Sequence, residues 1–305
     1  MAVLTVVSAI GLVVDDRTLL GSPIWFKPFK FAVSFVAYCL ALAWMLSLLP
    51  RFRRTGWWAG TAVAAACAGE MLLIAGQAIR GVRSHFNYAT PFDTAVYNAM
   101  AALAATLWAG TLVIAVLLFR ARLADRASAW TVRLSALLAL VGAGFGVLMA
   151  QPAPGQRRGV TDVVGAHSVG VPDGGAGMAL TGWSTTGGDL RIPHFVGMHA
   201  LQVLPLVLLA LVALAPRFAR LRDARVRLRL MLVASGAYAA VLALVSWQAL
   251  RGQPLLLPDG PTLGAAAAIA VLTAAGAVAA VRTRAEPPMT EPHPPLSARQ
   301  LESAP

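Results

Sequence analysis

Apolar runs of about 20 residues recur down this chain, each long enough to cross the ~30 Å hydrocarbon core of a bilayer. No water is available in that core, so backbone N–H and C=O groups must pair within the segment, and the runs are helices. They lie at roughly 26–49, 57–80, 93–119, 130–151, 194–215, 229–250 and 262–281, preceded by a shorter run at 1–14. Composition agrees. Of 305 residues 58% are hydrophobic and 12% charged, with a mean hydropathy of +0.70, whereas a soluble domain carries roughly 25% charged residues. The expected fold class is all-α: a polytopic helical membrane protein of about eight transmembrane helices, or seven if the first run does not span. That run reaches only ~21 Å at ~1.5 Å per residue, and it lacks the basic start and cleavage site of a signal peptide. The helical domain is expected over 1–281. The remainder, 282–305, is rich in Pro and polar residues and reads as a disordered tail. Both cysteines, Cys39 and Cys67, fall inside apolar runs, so no disulfide framework is expected.

Arginines set the orientation. Arg51, Arg53 and Arg54, then Arg120, Arg122, Arg126 and Arg133, then Arg217 to Arg229 occupy alternate connections. The positive-inside rule places these and the tail in the cytoplasm of a cell with an inner membrane. The net charge of +12 then reflects topology and attraction to anionic headgroups, and implies membrane lipid rather than nucleic acid as a partner. Oligomeric state is left open.

The opposite face carries a different chemistry. His85, His167, His194 and His199 fall there, with Asp15, Asp16, Asp93, Asp162, Asp173, Asp189 and Asp259. So do Lys27 and Lys30, the chain's only lysines. With Trp25 they are either interfacial anchors or holders of an anionic headgroup.

"GWSTTGGDLRIPHFVGMHALQVLP", residues 182–205, is the densest stretch. Pro193 fits the first turn of a helix, whose free N–H groups and dipole favour an anion, helped by Arg191. His194 and His199, five residues apart, lie about 140° apart around the helix, whereas His199 and Gln202 share a face. Gly187 and Gly188 allow close backbone approach, and Pro205 permits a kink. In "RGVRSHFNYATPFD", residues 80–93, Thr90-Pro91-Phe92-Asp93 reads as a capping box. That leaves Arg80, Arg83, His85 and Asn87 over the mouth between two spans. Glu70, near the middle of the third span, is costly there and implies a partner or a cavity. Cys67, Glu70, Ile74 and Gln77 share a face, and the bland alternative for Glu70 is a hydrogen bond to Asn98 or Gln202. Gly142 and Gly146 in "GAGFG" form a G-x-x-x-G packing face. Residues 155–188 carry ten glycines. The segment 152–193 is expected to be an extracytoplasmic flap that excludes water or gates access, or else a mere tether. "QAIRG" at 77–81 recurs as "QALRG" at 248–252, with Pro91 and Pro261 following at nearly the same offset, which suggests a parallel 4+4 repeat.

"GSPIWFKPFKFAVSF", "RGVRSHFN…TPFD" and the 182–205 stretch resemble a family of uncharacterised bacterial integral membrane proteins over residues 15–205. That resemblance implies the topology and the rim residues but no reaction. Ser84-His85, Asp93 and the late histidine pair resemble zinc-dependent ceramidase and progestin-receptor-type membrane hydrolases. Those use three His with an Asp and a late H-x3-H pair, where this chain has H-x4-H. This second resemblance implies a divalent metal such as zinc.

Three functions compete. A membrane-embedded enzyme on a lipid or small amphipathic substrate would use Glu70, His85, Asp189 and His194 as catalytic groups. Its ligands would be held by Lys27, Lys30, Arg80, Arg191 and Gln202, with His85, His194 and His199 as metal ligands. A proton-coupled carrier would use Glu70 as the coupling carboxylate. A b-type haem protein would need histidines facing each other across helices.

Overall fold

In a computed structural model, residues 1–123 and 125–282 are described. Eight helices follow one another: α1 (Ala2–Val14), α2 (Phe26–Ser47), α3 (Arg53–Arg80), α4 (Pro91–Arg120), α5 (Arg126–Met149), α6 (Arg191–Leu214), α7 (Ala224–Leu250) and α8 (Gly260–Arg282). Seven, α2 to α8, are long and apolar enough to cross a membrane. The 13 residues of α1 extend about 20 Å, so the count of eight spans falls to seven candidates plus a short apolar helix. Several helices begin earlier than their apolar runs. Thus α3 starts at Arg53 and α6 at Arg191, because a helix continues past the hydrocarbon boundary and carries its polar ends into the headgroup layer. The expected tail lies outside the described residues except for Arg282, which closes α8.

Small residues govern the tightest seams, as van der Waals packing requires where lipid is as apolar as leucine. A Cβ on Gly142 of α5 would lie 2.5 Å from Gly197 Cα of α6, and one on Gly197 would lie 2.4 Å from Gly142 Cα. One turn on, Gly146 faces the His194 ring. The G-x-x-x-G face is thus the α5–α6 contact. A Cβ on Gly110 of α4 would meet Val63 of α3 at 2.5 Å. Polar cross-links add direction. Trp108 Nε1 on α4 donates to Leu140 O on α5 at 3.1 Å, and Tyr238 Oη on α7 donates to Val196 O on α6 at 2.5 Å. The main core lies between α2, α3, α4, α5 and α6 around Phe35, Met45, Cys67, Met71, Ile114 and Leu201.

The connection between α5 and α6 folds back over the helix ends. Its strand β1 (Ser168–Val169) pairs antiparallel with β2 (Gly188–Asp189), and its edge is sewn to the α3–α4 connection. Tyr88 N donates to Asp162 O at 2.7 Å, and Val164 N donates to Phe86 O at 3.2 Å. The close approach expected of Gly187 and Gly188 is present. A Cβ on Gly188 would lie 2.0 Å from Ala249 O of α7, and one on Gly187 2.5 Å from Val171. The segment is a packed cap.

The two QA-x-RG copies build one local motif. Gly81 and Gly252 end α3 and α7 with φ of 77° and 72°, the left-handed conformation glycine adopts without strain. Val82 N returns to Gln77 O, and Gln253 N to Gln248 O. Each glutamine Nε2 donates to carbonyls just beyond, Arg83 O in one copy and Pro254 O in the other. Each arginine then pairs with an aspartate at the start of the next helix, Arg80 with Asp93 and Arg251 with Asp259.

Candidate functional site on the flap side

Five segments bring polar groups together beneath the flap. On α2, Lys27 and Lys30 sit three residues apart in the first turn and share a face. This turn has no acidic residue and no side-chain cap. Two lysines there run against the helix dipole, so helix stability does not explain them. Lys27 Nζ donates to His85 Nδ1 at 3.1 Å, and Lys30 Nζ donates to the flap carbonyl of Thr181 at 2.9 Å.

His85 sits among aromatic rings: Phe31 at 5.9 Å, Phe86 at 6.1 Å and Tyr97 at 6.2 Å between centroids. Its Nδ1 also accepts from Ser84 Oγ at 3.1 Å. An Nδ1 that accepts leaves the proton on Nε2. Burial first, then the positive charge of Lys27, hold this imidazole well below its ordinary pKa.

The flap contributes a pair that the sequence reading passed over. His167 Nδ1 donates to Asp173 Oδ2 at 2.9 Å, which leaves Nε2 as the free base. Asp173 also accepts the backbone N–H groups of His167 and Ser168. Burial opposes its ionised form, but the His167 hydrogen bond and these N–H groups hold the carboxyl well below the usual range. Burial lowers His167 despite the opposing Asp173 bond. The signal in the sequence was the Pro-Asp-Gly turn at 172–174, whose aspartate folds back on nearby N–H groups.

On α6, His194 Nδ1 donates to Gly142 O at 2.9 Å, so its Nε2 lone pair is free. His199 Nδ1 donates to Gln202 Oε1 at 3.1 Å, the shared face expected for that pair. The His199 ring lies tilted against Phe195, centroids 4.0 Å apart, and Phe195 in turn meets Trp183 of the flap edge-on at 5.6 Å.

Other expected site residues are held in bonds of their own. Asp189 is fully buried. It accepts Ser184 N at 2.8 Å, Arg191 N at 2.9 Å, Arg191 Nε at 2.9 Å and Arg191 Nη2 at 2.5 Å. Both oxygens thus clamp the flap turn to the start of α6. Arg191 spends its remaining reach on Gly182 O at 2.6 Å. Arg80 is bound to Asp93, which also accepts from Gln77 at 2.9 Å and from Thr90 Oγ1 at 2.7 Å. Asp93 N donates to Thr90 Oγ1 at 3.1 Å, so the expected capping is made. Arg80 and Arg191 are thus each paired with an aspartate, and Gln202 with His199. His85, His194 and His199 do not form one ligand set. His85 presents an Nε2–H, His199 turns toward Phe195, and no group of three His, Cys, Asp or Glu side chains suited to a metal occurs among the described residues.

Glu70 stands apart. It is 4% exposed, its Oε2 has no hydrogen-bond partner, and it bonds to neither Asn98 nor Gln202. Cys67, Ile74 and Gln77, on the same side of α3, are buried with it. The nearest positive influence on it is Lys27, yet the two are not within ion-pair distance. The open surface depressions beside Tyr88 and Asp162, and beside Arg217 and Phe218, lie outside this cluster.

No family profile, curated protein sequence or solved structure matches the chain.

Proposed function

We propose that this multi-pass membrane protein is a membrane-embedded enzyme acting from the extracytoplasmic side of the inner membrane on the anionic headgroup of a lipid or small amphipathic molecule. Lys27 and Lys30, with the uncapped N–H groups of α2, hold the anion. Glu70 transfers the proton, and His85, bonded to Lys27, stands beside the anion. The observation that carries this reading is the buried Glu70 carboxyl, whose Oε2 has no hydrogen-bond partner. An uncompensated carboxyl at that depth is expensive and is retained where it serves a ligand.

Toward the arginine-rich face the α2–α3 seam continues through Cys67, Val63, Met45 and Leu49, with the buried Tyr38–Thr111 hydroxyl pair in the same core, and this mostly apolar path weighs against a proton-coupled carrier. The test is reconstitution in vesicles of mixed anionic and zwitterionic phospholipid, followed by mass spectrometry of the lipid. The wild type is expected to alter an anionic lipid, while Glu70→Gln retains lipid and leaves it unaltered. Unaltered lipid with the wild type, or equal turnover in Glu70→Gln, overturns the reading.

A further inference from the structure

The chain has two cysteines, and the fold brings them together. Cys39 lies at the middle of α2 and Cys67 at the middle of α3, 28 residues apart in sequence, with their Sγ atoms 4.0 Å apart as free thiols. One buried cysteine is an ordinary small hydrophobe. Two on different helices in contact are a dithiol. A disulfide requires an S–S distance of about 2.0 Å, so forming one means that the two sulfurs move together from 4.0 Å.

The surroundings select the reaction partner. Cys67 is fully buried, and Cys39 is half-buried at the edge of the core. Both sit at the mid-depth of apolar helices, where charged, water-soluble thiol reagents are costly to admit. The Tyr38 hydroxyl beside Cys39 is turned to Thr111 on α4 and makes no bond to the thiols. An apolar oxidant dissolved in the lipid meets no such barrier and reaches Cys39 first.

We propose that Cys39 and Cys67 are a redox-active dithiol, oxidised to a disulfide joining α2 and α3 by a lipid-soluble quinone. The two S–H bonds break and one S–S bond forms. Two electrons and two protons reduce the quinone, which returns to the lipid as hydroquinone. Cys39, the more accessible thiol, meets the quinone, and Cys67 completes the disulfide.

The test uses the full chain, purified reduced in lipid nanodiscs and incubated with a short-chain ubiquinone analogue. After denaturation, free thiols are counted with a maleimide and hydroquinone is followed by absorbance. Both thiols are expected to vanish and to return on dithiothreitol treatment, with one hydroquinone formed per chain. Cys39→Ser and Cys67→Ser are each expected to keep the remaining thiol and form no hydroquinone. Two labelled thiols persisting in the quinone-treated wild type overturn the proposal. So does loss of the remaining thiol in either variant, which signals a quinone adduct.

Discussion

Lys27 Nζ lies 3.1 Å from His85 Nδ1, joining α2 to the connection between α3 and α4. An ammonium donating to that nitrogen fixes the ring as its Nε2–H tautomer and opposes a second positive charge on it. The polar cluster beneath the flap is therefore built around a neutral histidine, with His167 depressed beside it.

That arrangement sets a pH dependence. Unfolded histidine binds a proton below about pH 6.5, whereas His85 and His167 in the folded chain stay neutral further down. The unfolded state then binds more protons in this window, so stability rises with pH. It is complete above about pH 6.5 and is lost as pH falls toward the folded values, at about 1.4 kcal/mol per pH unit for each histidine. Thermal melts in detergent from pH 7.5 to 5 are expected to show that slope. His85→Gln and His167→Gln should each flatten it, and an unchanged slope in both would show that these rings are protonated in the fold.

Asp189 is expected to matter for the flap. Removing a buried carboxylate that answers Arg191 and two backbone N–H groups costs about 3 kcal/mol. Asp189→Ala should therefore expose the flap to trypsin at Arg157 and Arg158 while the helices persist by circular dichroism. Resistance equal to that of the wild type would show that the clamp is dispensable.

The α5–α6 seam gives a sharper contrast. Gly142→Ala and Gly197→Ala each drive a methyl group into opposing backbone, whereas an added Cβ at Gly144 meets nothing within 4 Å. Overpacking of this kind costs about 3 kcal/mol. Melting midpoints should fall for the first two variants and hold for Gly144→Ala. Three equal midpoints would mean that the helices do not cross at Gly142 and Gly197.

Glu70 should be a stability liability. Replacing an unpartnered buried carboxyl by an apolar side chain of similar volume removes a desolvation penalty of about 1–2 kcal/mol. Glu70→Met is expected to raise the melting midpoint. A lowered midpoint would reveal a partner in the membrane-bound protein.

Sidedness is testable directly. A cysteine at the exposed Gly175 should react with an impermeant maleimide added to intact cells, and a reporter fused to the C-terminus should be active in the cytoplasm. Labelling at Gly175 only after lysis would reverse the orientation.

Local features were legible without the fold. The apolar runs became helices because backbone pairing in lipid leaves few alternatives. The Thr90–Asp93 cap, the Gly81 and Gly252 helix ends, the Gly142–Gly146 face and the His199–Gln202 pair all lie within about two helical turns, so spacing alone defines them. Which groups meet across helices was decided by the tertiary structure. Helix rotation and register are set by the summed packing of all the spans, and no short pattern reports them. For that reason Asp189 and Arg191 satisfy each other, and Lys27 finds His85 across 58 residues. For the same reason three histidines on one face do not converge, Cys39 meets Cys67, and Glu70 is left without a partner.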